Sequence, residues 1–210
     1  MISLRRLIPV LAFLFFALFL RAALAPSAAE IKPLPVGAKV PAVMVKTIEG
    51  ADLSLPTALA GKPTLLIFYR GSWCPYCNKH LAALAEIEPQ LLGLGYQIIA
   101  LSPDEAKGLQ AVAEKNHLNY RLLSDHAMQA AGAFGVAFRV DEKTVQAYLG
   151  HGLALTPVPG EPSARWLPVP AVYVIGRDGV IRFVHTNPDY KVRLSGEAVL
   201  AAAKAALQSG

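Results

Sequence analysis

The chain has 210 residues, with 20 basic and 15 acidic side chains and a formal net charge of +5. Three of the basic residues, Arg5, Arg6 and Arg21, lie in an apolar N-terminal stretch; without them 17 basic and 15 acidic side chains remain. A surplus of about two positive charges does not indicate a nucleic-acid-binding surface, so we expect no nucleic-acid partner. The length after this stretch suits one domain with a sizeable core.

Residues 1–29 have the pattern of an export signal. Arg5 and Arg6 precede a run of 14 residues, 7–20, that is apolar throughout. This run has the length of a signal-peptide core and is shorter than the ~20 residues that a membrane span needs. An export signal predicts an oxidising compartment for the rest of the chain.

The fate of this leader stays open between two alternatives. Small residues at 27–29 offer a cleavage site, whereas Arg21 and Pro26 fit a cleavage region poorly. The leader is therefore a removed signal peptide or an uncleaved anchor formed by residues 7–24. Both alternatives predict a periplasmic or other extracytoplasmic domain over residues 30–210, with membrane contact only through an uncleaved leader.

The rest of the chain alternates predicted strands and helices, which favours a layered α/β fold. We predict strands at 42–47, 64–69, 96–101, 120–123, 171–175 and 180–185, and helices at 81–92, 105–116, 124–134, 141–149 and 196–208. Residues 53–59 form a second short strand or a turn of helix. Pro89 should kink its helix, residues 102–104 should cap the next one, and residues 157–162 should form an exposed loop.

The chain's only two cysteines, Cys74 and Cys77, lie between a predicted buried strand, 64–69, and the helix that follows. A strand that leads into a helix through Cys-x-x-Cys places the first sulfur at the helix N-terminus. Unpaired N–H groups and the helix dipole favour a thiolate there. Pro75 fits the first helical position, where an N–H would have no partner. The pattern indicates thiol–disulfide chemistry.

A structural disulfide or a metal site would account for the cysteine pair less well. A disulfide between Cys74 and Cys77 would close a very short loop, worth only about 2 kcal/mol in the loop-entropy model. Zinc would take Cys74, Cys77 and His80 and still lack a fourth ligand. We therefore expect no metal and no cofactor, and we interpret His80 as a residue on the helix surface rather than a proton shuttle.

Our mechanistic hypothesis gives the two cysteines different roles. Cys74 is the attacking thiolate, and Cys77 is the resolving thiol that releases the captured partner and closes a Cys74–Cys77 disulfide. Arg70 or Lys79 should help to lower the pKa of Cys74. Trp73 either covers the sulfur and contacts partners or has a packing role.

The order of these elements resembles the thioredoxin fold, a central mixed sheet flanked by helices, here with an N-terminal strand extension. More closely, it resembles the peroxiredoxin-like proteins of the alkyl hydroperoxide reductase and thiol-specific antioxidant family. The matching segments are 68–77 (FYRGSWCPYC), 101–104 (LSPD), 167–175 (LPVPAVYVI) and 187–190 (NPDY). The resemblance implies an antioxidant or redox role, and it implies a cis bond at Val169–Pro170, opposite the cysteines.

The chain departs from the family where peroxide is handled. Typical members carry Pro-x-x-x-Thr-x-x-Cys, which here falls on Arg70, Cys74 and Cys77, and an arginine whose position falls near Pro170. Three of the four residues are therefore missing, although Arg165 or Arg70 could substitute from another direction. Losing such donors typically costs about 3–4 kcal/mol of transition-state stabilisation each.

Three functions stay open, and the departures favour the first. It is an exported thiol-disulfide oxidoreductase that acts on protein or small-molecule thiols and disulfides. The second is a thiol peroxidase that reduces hydrogen peroxide or organic hydroperoxides and is itself reduced by a thioredoxin-like partner. The third is a non-catalytic envelope binding module with a structural disulfide.

Overall fold

The structure is a computed structural model that describes residues 24–158 and 160–208. The apolar run at 7–20, the core of the predicted export signal, lies outside the described residues. The first described residues pack on the domain: Ala25 is buried, and its carbonyl accepts a hydrogen bond of 2.8 Å from the amide of Arg139. The helices within 24–158 and 160–208 are all too short or too polar to cross a bilayer.

The framework is a seven-stranded mixed sheet. Its strands are β1 (Met44–Lys46), β2 (Asp52–Ser54), β3 (Thr64–Phe68), β4 (Gln97–Ser102), β5 (Arg121–Ser124), β9 (Ala171–Ile175) and β10 (Ile181–Thr186). They lie in the order β10-β9-β3-β4-β5-β1-β2. Strand β3 is central, because it pairs parallel with β4 and antiparallel with β9. The expected thioredoxin-like sheet and its N-terminal strand extension are confirmed.

Both faces of the central strands are buried, and the alternation along β3 builds two cores. Leu66 and Phe68 belong to one apolar cluster, whereas Leu65 and Ile67 belong to the other. The helices that cover these faces are α1 (Leu55–Leu59), α2 (Pro75–Glu86), α3 (Glu88–Gly93), α4 (Ala106–Lys115), α5 (Gln129–Ala133) and α7 (Gly196–Gln208).

A smaller layer, which we call the small layer, is formed by residues between 137 and 168. Strands β6 (Ala137–Val140), β7 (Pro157–Val158) and β8 (Glu161–Pro168) form a three-stranded antiparallel sheet, and helix α6 (Glu142–Gly150) lies between β6 and β7. An apolar cluster of its own holds it together, and Trp73 packs against that cluster. The layer therefore reaches the turn that carries the cysteines.

Several local expectations are wrong. Residues 157–158 and 161–162 belong to the paired strands β7 and β8 instead of a simple loop. Pro89 does more than kink its helix: α2 ends at Glu86, and α3 begins with this proline in its first turn. The helix predicted at 124–134 is only α5, because Asp125 and the turn after it precede the helix.

The bond Val169–Pro170 is trans, since the described part of the chain contains no cis peptide bond. The expectation of a cis bond is therefore wrong. The amide of Val169 is bonded to the carbonyl of Val136 in the small layer, and Ala171 pairs with Phe68 in the main sheet. An extended trans link carries the chain from one sheet directly into the other.

Candidate active site at the N-terminus of helix α2

Cys74 stands where the sequence predicts it, at the junction between β3 and α2. It is the N-cap of α2, Pro75 occupies the first turn, and the Cys74 sulfur accepts a hydrogen bond from the backbone amide of Cys77 at 3.4 Å. The two thiol sulfurs are 2.7 Å apart, with the Cys77 thiol donating to Cys74. This arrangement places one sulfur to attack and the other within reach of it.

The surroundings of Cys74 favour its thiolate. The hydrogen bond from the Cys77 thiol is the largest cause, and the Cys77 amide, Arg70 and Arg193 add to it against the opposing effect of burial. Together they lower the pKa of Cys74 to about 6. The resolving thiol behaves in the opposite way, because its hydrogen bond to Cys74 and its burial raise the pKa of Cys77.

Arg70 is buried, with 5% of its surface exposed, and three aromatic rings surround it. Its guanidinium lies 5.1 Å from the ring centre of Trp73, 5.7 Å from that of Tyr148 and 4.1 Å from that of Tyr190. It also donates a hydrogen bond to the Tyr148 hydroxyl. These contacts hold a cation beside Cys74 without a carboxylate, so its charge stays available to the thiolate.

The dithiol is covered. Cys74 is 1% exposed and Cys77 is not exposed at all. Trp73 packs against the cluster that contains both cysteines and against the small layer, and its ring lies 5.3 Å from that of Tyr148. Trp73 therefore has the packing role, and we call Trp73 and Tyr148 the cover of the dithiol. A contact of Trp73 with partners stays a prediction.

Asp104 fixes the turn before Cys74, a role that was not predicted from the sequence. Its carboxylate accepts hydrogen bonds from the Ser72 amide (2.8 Å), the Ser72 hydroxyl (3.2 Å) and the Ser102 hydroxyl (2.9 Å). The side-chain amide of Asn78 donates a hydrogen bond to the backbone carbonyl of Ser72 at 2.7 Å. The expected cap on the next helix is wrong, since Glu105 is the N-cap of α4 and makes no side-chain cap. The sequence feature that could have indicated this role of Asp104 is the LSPD segment at 101–104. It begins in the last two residues of β4, the strand beside β3.

The remaining candidate residues divide between site and scaffold. Pro170 precedes Ala171, which pairs with the last residue of β3, so the register brings it beside the turn of Cys74. Lys79 is exposed, and the cations that act on Cys74 are Arg70 and Arg193. Arg165 uses its guanidinium on the backbone carbonyls of the β7–β8 hairpin, at 2.6 and 3.0 Å, and does not substitute at the site.

His80 is buried, with 8% of its surface exposed, so its placement on the helix surface was wrong. Its Nε2 lies 3.2 Å from the carbonyl oxygen of Leu194. Burial, together with the charge of Arg193, lowers the pKa of His80 to about 4 and keeps the ring neutral. Within the described ranges, no group of three or more His, Cys, Asp or Glu side chains is arranged to hold a metal ion.

A polarised cysteine pair at the start of a helix, on a thioredoxin-like sheet, defines a thiol-dependent oxidoreductase. Residues 36–184 match the model of the AhpC/TSA family, and the chain belongs to that family.

Named relatives fall into two activity classes. A protein named as a bcp peroxiredoxin in Haemophilus influenzae is 35% identical over 106 residues, covering 50% of this chain and 68% of that protein. The thiol-disulfide oxidoreductase ResA of Bacillus anthracis is 29% identical over 135 residues, covering 59% and 75%. The fold is also similar to the crystal structure of reduced Prx3 in complex with hydrogen peroxide from Vibrio vulnificus, with a TM-score of 0.65, 19% identity, and 81% and 99% coverage.

Proposed function

We propose that the protein is a two-cysteine thiol peroxidase in which Cys74 attacks a peroxide and Cys77 resolves the product. The observation that carries the proposal is the polarised pair itself. The sulfur of Cys74 accepts two hydrogen bonds from Cys77, and Arg70 and Arg193 both act on it electrostatically. Such an environment yields a nucleophilic thiolate at neutral pH.

This proposal reverses the preference drawn from sequence. The residues missing at the family's positions favoured disulfide exchange, because they left peroxide without donors. Two guanidinium groups near the dithiol supply donors of the required kind, since Arg193 contacts Cys77 at 3.3 Å and Arg70 lies beside Cys74. Peroxiredoxins also recur among the relatives, in bacteria and in plants.

The chemistry balances with the two thiols and an external dithiol. The Cys74 thiolate attacks one peroxide oxygen, the O–O bond breaks, and the other oxygen leaves as water or an alcohol after taking a proton. Cys74 is then a sulfenic acid. The Cys77 thiolate attacks this sulfur, the hydroxyl leaves as water, and a Cys74–Cys77 disulfide closes. A thioredoxin-like dithiol returns two electrons by exchange.

A second candidate, disulfide exchange without peroxide, is favoured by the spacing of the two sulfurs. A separation of 2.7 Å lets Cys77 displace any thiol bound to Cys74 with little movement, and the similarity to ResA points the same way. In this reaction a partner disulfide takes the place of the peroxide, and the protein's dithiol is oxidised in the same way.

Single-turnover oxidation separates the two candidates. The fully reduced protein is mixed with one equivalent of hydrogen peroxide, and loss of thiol is followed by quenched labelling and mass analysis. We expect rapid oxidation to the disulfide, abolished in Cys74→Ser and arrested at the sulfenic acid in Cys77→Ser. Slow oxidation by peroxide together with fast reduction of insulin would favour disulfide exchange instead. Thiols inert to both reagents, with a very low reduction potential, would indicate a structural disulfide.

We further propose that the domain works outside the cytoplasm, on the pattern of residues 1–29 alone. The buried Ala25, which bridges to Phe138, would be lost by cleavage after Ala29. Fractionation of cells that express a tagged full-length chain, with N-terminal sequencing of the product, tests both the compartment and the cleavage. A cytosolic product with an intact N-terminus would contradict the proposal.

A further inference from the structure

Arg193 is the one cation whose side chain is within hydrogen-bond distance of a site sulfur in the described structure, and no sequence pattern pointed to it. Its Nη2 donates to the Cys77 sulfur at 3.3 Å. Arg70 contributes to Cys77 only through its backbone, whereas Arg193 acts through its charge. Arg193 also acts on Cys74 through its charge, as Arg70 does, but its hydrogen-bond contact is with Cys77.

No ion pair within the described residues neutralises the charge of Arg193. Its Nε and Nη1 atoms are buried and have no hydrogen-bond partner. The ion pairs within residues 24–158 and 160–208 join Lys46 to Asp52, Lys107 to Glu105, Arg139 to Glu161 and Arg182 to Asp178, so none of them neutralises Arg193. A guanidinium without a carboxylate, placed against a thiol, stabilises negative charge on that sulfur.

The backbone that follows Arg193 is held in place by two hydrogen bonds. The carbonyl of Leu194 lies 3.2 Å from the buried ring of His80 on α2. The Ser195 hydroxyl accepts a hydrogen bond of 3.2 Å from the amide of Ala198 in α7. The segment that carries the guanidinium is therefore fixed to the helix that carries Cys77.

The second step of the reaction is where this contact matters. Cys74 reaches the thiolate state readily, but Cys77 is fully buried, and it must lose its proton before it can attack. We propose that Arg193 is a positioning residue for the resolving step, where it stabilises the Cys77 thiolate and leaves the first attack by Cys74 largely unaffected. The inference rests on the proposed function and serves peroxide reduction and disulfide exchange equally.

A neutral chromogenic disulfide, 4,4′-dithiodipyridine, separates the two steps. The Cys74 thiolate attacks one sulfur of the reagent, the S–S bond breaks, and one thiopyridone leaves with a proton from water. The Cys77 thiolate then attacks Cys74, which releases the second thiopyridone and closes the protein disulfide. The Cys77 proton ends on that second product. Two electrons pass from the protein to the reagent, and each step releases one chromophore.

Stopped-flow measurements at pH 8 on the full domain compare wild type with three variants. In Arg193→Met we expect the second phase to slow about tenfold while the first stays within about twofold, since at pH 8 Cys74 is ionised in either protein. Arg193→Lys keeps the charge and should recover part of the loss. Lys191→Met removes an exposed charge in the same segment, with its Nζ 6.0 Å from the Tyr190 ring, and should change neither phase.

The pH profile of the second phase gives a readout that a loss of packing would not produce. The titratable and charged groups that face Cys77 are Cys74, Tyr69 and Arg193, with His80 one turn further along α2. In Arg193→Met the second phase should need a higher pH to reach its full rate, and Arg193→Lys should fall between that variant and wild type.

Three results would overturn the inference. An unchanged second phase in Arg193→Met removes the role of Arg193, and equal slowing of both phases reduces it to a structural one. In either case the wild-type protein still shows two phases, so the proposed function survives. A wild-type protein that releases no thiopyridone overturns the inference, and the single-turnover oxidation by hydrogen peroxide then decides the proposed function separately.

Discussion

The guanidinium of Arg70 donates a hydrogen bond to the phenol of Tyr148, a residue 78 positions further along the chain. Arg70 lies two residues after the end of β3, before the cysteine turn, and Tyr148 lies on α6 in the small layer. The Tyr148 ring also packs on Trp73. One of the two cations that act on Cys74 thus also binds the small layer, through Tyr148.

The substitution Tyr148→Phe tests whether this hydrogen bond limits access to the dithiol. Tyr148→Phe keeps the ring on Trp73 but deletes the acceptor for Arg70, a loss of about 1 kcal/mol for a partly buried hydrogen bond. We expect the cover to open more often and N-ethylmaleimide to alkylate Cys74 several times faster. Leu149→Ala, an exposed neighbour on the same helix, is the control and should leave the rate unchanged. Equal rates in Tyr148→Phe and wild type would show that the hydrogen bond does not govern access.

The main sheet and the cysteine turn were predictable because their causes are local. Apolar runs predict the buried strands, and Cys74-Pro75 at the end of such a run predicts the helix start. The chemistry of the site was less predictable. Arg193 is 116 positions away from the sulfur that it contacts, and only the packing of α7 against the sheet brings it there.

The small layer was also hard to predict from the sequence. Its strands are short or rich in proline, so turn signals at 157–162 outweighed strand signals. The hairpin forms because β8 pairs on both edges, with β6 and with β7. Pairing between strands as far apart in the chain as β6 and β8 leaves no local sequence pattern. The part of the cover that the small layer supplies, Tyr148, was therefore not predictable from the sequence.

The polarisation of Cys74 predicts its pH dependence. With a pKa of about 6, its alkylation by iodoacetamide should reach full rate near pH 7, well below the range of an ordinary thiol. Mass analysis at each pH assigns the modified residue. In Cys77→Ala the largest cause of the shift is gone and the backbone amide remains, so the midpoint should move upward but stay below that of a free cysteine. A wild-type midpoint between pH 8 and 9 would contradict the polarised pair.

His80 predicts how stability responds to acid. The folded protein keeps this ring neutral down to a pKa of about 4, whereas an unfolded histidine binds a proton below about pH 6.5. The unfolded state therefore binds more protons between these values. The contribution is fully present above pH 6.5 and is lost as the pH falls toward 4.

Urea unfolding at pH 7.5 and pH 5 measures this contribution. Wild type should lose about 1–2 kcal/mol more than His80→Gln over that interval, since the slope for one group is at most about 1.4 kcal/mol per pH unit. His151→Gln is the control, because His151 is exposed, and its pH dependence should match wild type. Identical pH dependence in all three proteins would show that the pKa of His80 is the same in the folded and unfolded states.

Gly71 sets the position of Trp73 over the dithiol, and one methyl group tests this. Its φ of +143° is rare for residues with a side chain, and a Cβ atom there would overlap the indole nitrogen of Trp73. Gly71→Ala should cost about 1–3 kcal/mol of stability and change the tryptophan fluorescence as the ring is displaced. Gly108→Ala is the matched control: it lies in α4, a Cβ there meets nothing within 4 Å, and the change should stabilise the helix by about 0.5–1 kcal/mol. If Gly71→Ala kept both the stability and the fluorescence of wild type, Trp73 would not be held by the backbone of this turn.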